Sequence, residues 1–142
     1  MVNFNVATTP MNINENLCHD DGSEIANATY FRNLVGSLNY LSNTRPHISF
    51  CVDIISGFPH NPSKLHLGAA KKQLGYLAGT IDHGILYSKA TNFTLTGFNG
   101  SDYAGNIDDK NSTSVFLYNL ESGAVSWSSK KKGNGSFINF RG

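Results

Sequence analysis

The chain has no apolar run near the roughly 18 residues that a membrane-spanning helix needs. Its N-terminus carries neither a basic stretch nor an apolar stretch of signal-peptide type. An intracellular protein without a membrane partner is the expectation, and sequons such as Asn92-Phe93-Thr94 then reflect Asn and Ser richness only. Cysteine is scarce: Cys18 and Cys51 stand far apart with no repeated spacing, which excludes a disulfide scaffold. The five histidines (His19, His47, His60, His66 and His83) form no ligand pattern, so a zinc site is not expected. Net charge is only +1, and the chain as a whole does not announce nucleic-acid binding. The charge is unevenly spread, however. Residues 1–62 carry −3, and residues 63–142 carry +4, a modest surplus able to draw phosphate.

What is present falls into four stretches. Residues 1–28 are polar, Asn-rich and interrupted by Pro10, with an acidic cluster at Asp20-Asp21-Gly22-Ser23-Glu24, and read as an extended or disordered lead-in. From Ala28 onward Phe31, Leu34, Val35, Leu38 and Leu41 recur at helical steps, with Thr29 as a candidate cap. Thr44-Arg45-Pro46 breaks that helix. A second runs from Pro46 or His47 to about Phe58, burying Ile48, Cys51, Ile54, Ile55 and Phe58. A third starts after Ser63, a good N-cap, and ends at Gly79. Its Leu67, Ala70, Leu74 and Leu77 face inward, while Lys64, Lys71 and Lys72 face out.

After Gly79 the period becomes two. Segments 84–88, 93–98, 114–118 and 124–128 read as strands, the last two joined by a short hairpin connection over Asn119–Gly123. The predicted class is α+β: a three-helix subdomain at 29–83, an incomplete antiparallel sheet at 84–132 with an unprotected edge, and a disordered tail at 133–142.

At the centre stands Gly97-Phe98-Asn99-Gly100-Ser101-Asp102-Tyr103-Ala104-Gly105, followed by Asp108-Asp109-Lys110-Asn111-Ser112-Thr113-Ser114. This stretch resembles the start of the ribonuclease H domain in copia-type LTR-retrotransposon polyproteins, where the pattern is roughly G-Y-x-D-[SA]-D-W-A-G, then D-D-R-K-S-T-S-G. The resemblance extends along nearly the whole chain. Thr9-Pro10-Met11 is similar to the family's T-P-[ML], and residues 30–41 with Thr44–Ile48 to its Y-R-x-L-V-G-S-L-x-Y-L and T-R-P-D-I. Lys64-Leu65-His66, Ala69-Ala70-Lys71, Tyr76–Thr80 and Gly84–Tyr87 resemble K-x-H, A-A-K-R, Y-L-K-G-T and G-[IL]-x-Y. Trp127-Ser128-Ser129-Lys130-Lys131 is similar to W-x-S-K-[KR].

The resemblance implies that residues up to about 85 correspond to the thumb-like part of reverse transcriptase, and about 93–132 to the first strands of a ribonuclease H-like sheet, here truncated. The parent family performs RNA-directed DNA synthesis and magnesium-dependent hydrolysis of RNA–DNA hybrids. Laid on the pattern without gaps, the first catalytic aspartate falls on Gly100, and the second acidic residue survives as Asp102. Tyr103, Asn111 and Val115 also depart from the family residues. The Y-[VM]-D-D polymerase signature lies upstream in the family and is absent here. Residues 132–142 contain no counterpart of the S-x-A-E-A-E-Y helix that supplies a further carboxylate.

Two-metal hydrolysis needs several converging carboxylates, so no catalytic residue and no cofactor is expected. Asp102 remains as a vestigial acidic residue and the one metal candidate; Asp108 and Asp109 read as turn residues. A degenerate, non-catalytic polyprotein fragment is the first reading. The alternative is a sequence-independent binding module for RNA–DNA hybrid or DNA backbone, carried by Lys64, Lys71, Lys72, Lys130, Lys131 and Lys132.

Overall fold

The computed structural model describes residues 5–12, 15–89, 91–102 and 112–131. Three helices precede three strands: α1 (Ala28–Ser42), α2 (Pro46–Ser56), α3 (Lys64–Gly79), β1 (Leu95–Asp102), β2 (Thr113–Leu120) and β3 (Gly123–Lys131). The class is α+β. The helices form where the apolar residues keep a helical period. Phe31, Val35 and Leu38 of α1 meet Ile48, Val52 and Ile55 of α2, and Phe58, Ala69, Ala70 and Leu77 complete the core. Asn27, not the expected Thr29, caps α1, its side-chain oxygen accepting the Tyr30 N–H. Both candidates are good caps, but Asn27 keeps the extended backbone a cap needs, whereas Thr29 already lies in the helix. Pro46 opens α2 at its first turn. The two arginines of the acidic half act structurally, Arg32 donating to the Pro59 carbonyl and Arg45 to the Thr80 carbonyl at the end of α3.

The sheet is antiparallel in the order β1-β2-β3. The β2–β3 connection is a tight turn with Glu121 at φ 51, and the register slips at Tyr118/Asn119. One side of the sheet docks on the helices through β3: the Trp127 indole N–H donates to the Ser42 carbonyl at 2.8 Å, and the Asp53 carboxylate of α2 accepts the Lys131 backbone N–H. Among the described strands β1 is an edge, and Leu95 and Phe98 stand largely exposed along it.

One expected strand does not form. Residues 84–88 carry no strand, and the Ser88 N–H goes to the Ser122 hydroxyl instead of a ladder carbonyl. The segment lies against the β2–β3 turn: the Tyr87 hydroxyl donates to the Ala124 carbonyl, and a Cβ on Gly123 would come within 2.8 Å of both Ile85 and Tyr87. Leu86 and Tyr87 are exposed, so the alternation reflects no buried face.

Periodicity gives no sign of how residues 15–27 are held. They run as a strap along the start of α3, with Leu17 in the core. Ala26 N–H donates to the Pro62 carbonyl and Lys64 N–H to the Glu24 carbonyl, each at 2.7 Å. Side chains supply the rest. Ser63 caps α3, and His66 at the third helical position completes a capping box, accepting the Ser63 N–H on Nδ1 at 2.9 Å. Asp21 receives the Ser23 and Ser63 hydroxyls, which pull its carboxyl down to about 2.

Candidate functional site

β1 sets Gly100 opposite Val115 and Asp102 opposite Thr113. A Cβ built on Gly100 would meet nothing within 4 Å, so no neighbour forces glycine on the position, which carries no carboxylate. Tyr103, Asp108, Asp109, Asn111, Lys132 and the tail lie outside the described residues. Among the described residues, no three of His, Cys, Asp and Glu gather where they could hold a metal ion. A pair of magnesium ions about 3.5–4 Å apart needs ligands converging from several directions. Gly100 offers no side-chain ligand, and the residues described around it do not fit such a centre.

The described lysines differ in what they touch. Lys64 is ion-paired with Glu24, and Lys72 donates to the Asn12 side chain. Lys71 is exposed, with its ammonium 5.9 Å from the centre of the Tyr30 ring. Lys130 is exposed on β3, while Lys131 is half-buried and tied through its backbone to Asp53. Two of the three α3 lysines are therefore engaged by the lead-in, a pairing that one-dimensional charge counting does not register.

Where β3 meets the helices there is a polar cavity of about 150 Å³, whose lining includes Asn39, Ser49, Asp53, Trp127 and Ser129. Burial pushes the Asp53 carboxyl up, against the opposing pull of the Lys131 N–H and the Lys131 and Lys130 charges. The Ser129 hydroxyl is buried there without a hydrogen-bond partner among the described residues. Sequence reasoning passes over this junction because its residues come from elements far apart in the chain. The Ser63-x-x-His66 box was within its reach, had a neutral imidazole been admitted where Glu or Gln is usual.

The chain is 41% identical over 132 residues to the retrovirus-related Pol polyprotein from transposon RE1 of Arabidopsis thaliana, a match covering 93% of the chain and 9% of that relative. It is 39% identical over 132 residues to the Pol polyprotein from transposon RE2 of the same plant, with the same 93% and 9% coverage. The chain belongs to the copia-type retrotransposon Pol family. The Pol polyprotein from transposon TNT 1-94 of Nicotiana tabacum is 38% identical to this Pol segment over 101 residues, 70% of the segment and 8% of the relative. The segment thus spans less than a tenth of the length of these curated relatives. No family model matches it, and no solved structure matches it. Among the described residues no helix is long and apolar enough to cross a membrane.

Proposed function

We propose that this Pol segment corresponds to the thumb-like helices of a reverse transcriptase followed by the opening strands of a ribonuclease H domain, and that it carries no hydrolytic centre. The observation that carries this reading is Gly100. The family motif puts an aspartate there, a Cβ on β1 at that point would meet nothing within 4 Å, and glycine supplies no carboxylate. Asp102 alone, two residues further along β1, is too few ligands to hold two ions and orient a water for attack on a phosphodiester. The segment then serves as a scaffold in which the helices buttress the sheet through Trp127 and Asp53.

The test is magnesium-dependent cleavage of a labelled RNA–DNA hybrid, with Asp102→Asn alongside. No cleavage by either protein is expected. Cleavage by the wild-type chain that Asp102→Asn abolishes would overturn the reading.

A second reading, sequence-independent binding of a nucleic-acid backbone, is supported by the exposure of Lys71 and Lys130. With about two phosphates contacted, log K should fall with log salt at a slope of roughly −2. The absence of binding at low salt would remove this reading.

A further inference from the structure

We propose that His66 is a proton-operated latch: neutral, it holds the strap of residues 15–27 against α3, and protonation releases the strap. The hydrogen bonds fix its tautomer. Nδ1 accepts the Ser63 N–H at 2.9 Å, so it carries no proton. The ring proton must sit on Nε2, which lies 2.9 Å from the Cys18 carbonyl and donates to it. One neutral ring therefore closes the cap of α3 on one side and grips the strap on the other. The ring is fully buried and stacks on Phe58 with centroids 4.0 Å apart.

A second proton has only Nδ1 to occupy. It would displace the Ser63 N–H, orphan a buried donor, and set a positive charge in the first turn of α3, where the helix dipole already presents its positive end. Among the described charged groups that face the ring, Asp21 opposes this. Its Oδ2 is 3.9 Å from Nε2 and already receives the Ser63 hydroxyl. On the strap side the Cys18 thiol is turned to the Asp20 carbonyl, and Glu24 is paired with Lys64 of α3. From the other side comes Phe58, whose ring has His19 edge-on at 4.9 Å. Releasing the strap lets the imidazole take the proton in water. The sign follows: the latch is closed above about pH 6.5, the value of a free imidazole, and opens progressively below it, towards a limit of tenfold per pH unit.

The experiment is amide hydrogen exchange on the full chain between pH 7.5 and 5.5, corrected for the intrinsic rate. It reads the Ala26 and Lys64 amides that bond the strap to the start of α3. Their opening equilibrium is expected to rise towards about tenfold over that interval in the wild type. It should stay flat in His66→Gln, whose amide oxygen keeps the cap acceptor, and rise as in the wild type in His19→Gln. A flat wild-type profile, or an equal rise in His66→Gln, overturns the proposal. Should His66→Gln not fold, nitrogen chemical shifts of His66 in the wild type decide: the Nε2–H tautomer at pH 7.5 is expected, and a proton on Nδ1 overturns it.

Discussion

Gln73 offers the sharpest test of the packing. It lies on the inner face of α3 with His66, Ala69, Ala70 and Leu77, it is 1% exposed, and neither atom of its amide has a hydrogen-bond partner among the described residues. A buried polar group left unpaired costs about 1–3 kcal/mol on mutational scales. Methionine nearly matches glutamine in volume and flexibility, and volume-conserving swaps cost under about 1.5 kcal/mol. Gln73→Met is therefore expected to stabilise the fold by about 1–2 kcal/mol. With a urea dependence of about 1–3 kcal/mol per molar, the unfolding midpoint should rise by roughly 0.5–1 M. Gln73→Ala removes the same amide but leaves a cavity, and its midpoint should fall below that of Gln73→Met. Unfolding followed by circular dichroism provides the assay. A lower midpoint for Gln73→Met than for the wild type would refute the reasoning, since it would mean that the amide is bonded in the folded chain.

Other expectations concern single contacts. Trp127→Phe removes the indole bond to the Ser42 carbonyl, which still accepts the Arg45 N–H at 3.3 Å, so the loss should be about 1 kcal/mol, read as a lower urea midpoint. Asp21, pulled down to about 2 mainly by the Ser23 hydroxyl, has a folded value below its unfolded one of about 3.9. Its stabilisation is full above about pH 4 and is lost as the pH falls towards 2, so the midpoint advantage over Asp21→Asn should shrink in that window. Burial pushes the buried Cys51 thiol up to about 11, whereas Cys18 is only half-buried. At pH 8 an aromatic disulfide reagent should label Cys18 in the folded chain and Cys51 only on unfolding; equal rates would contradict the packing of α2.

The helices were legible in the sequence because each buries one face against the other two. Phe31, Val35 and Leu38, and likewise Ile48, Cys51 and Ile55, appear at the expected steps and are buried. Ser63 as the cap of α3 was equally readable, since capping depends on a few adjacent residues. The strand expected over 84–88 does not form, because alternation over five residues looks alike whether or not a face is buried; Ile85 and Tyr87 settle against the β2–β3 turn instead, and Leu86 stays exposed. The anchoring of the strap escaped notice because it depends on polar side chains, Asp21 and His66, paired across more than 40 residues of chain. The family motif located Gly100 and Asp102 on β1 without any structure. The pairings of Lys64 and Lys72 with Glu24 and Asn12 needed the three-dimensional fold.

The central claim, that the site marked by the family motif has lost its chemistry, is tested most directly by assaying the wild-type chain beside Gly100→Asp for magnesium-dependent cleavage of an RNA–DNA hybrid. A Cβ at position 100 would meet nothing within 4 Å, so the substitution starts without a backbone or side-chain collision at that atom. The account predicts no cleavage by either protein, because a single restored carboxylate beside Asp102 still leaves the two ions short of ligands. Cleavage by the wild type would contradict the claim that Gly100 has removed the chemistry. Cleavage by Gly100→Asp alone would contradict the claim that more than one ligand is missing.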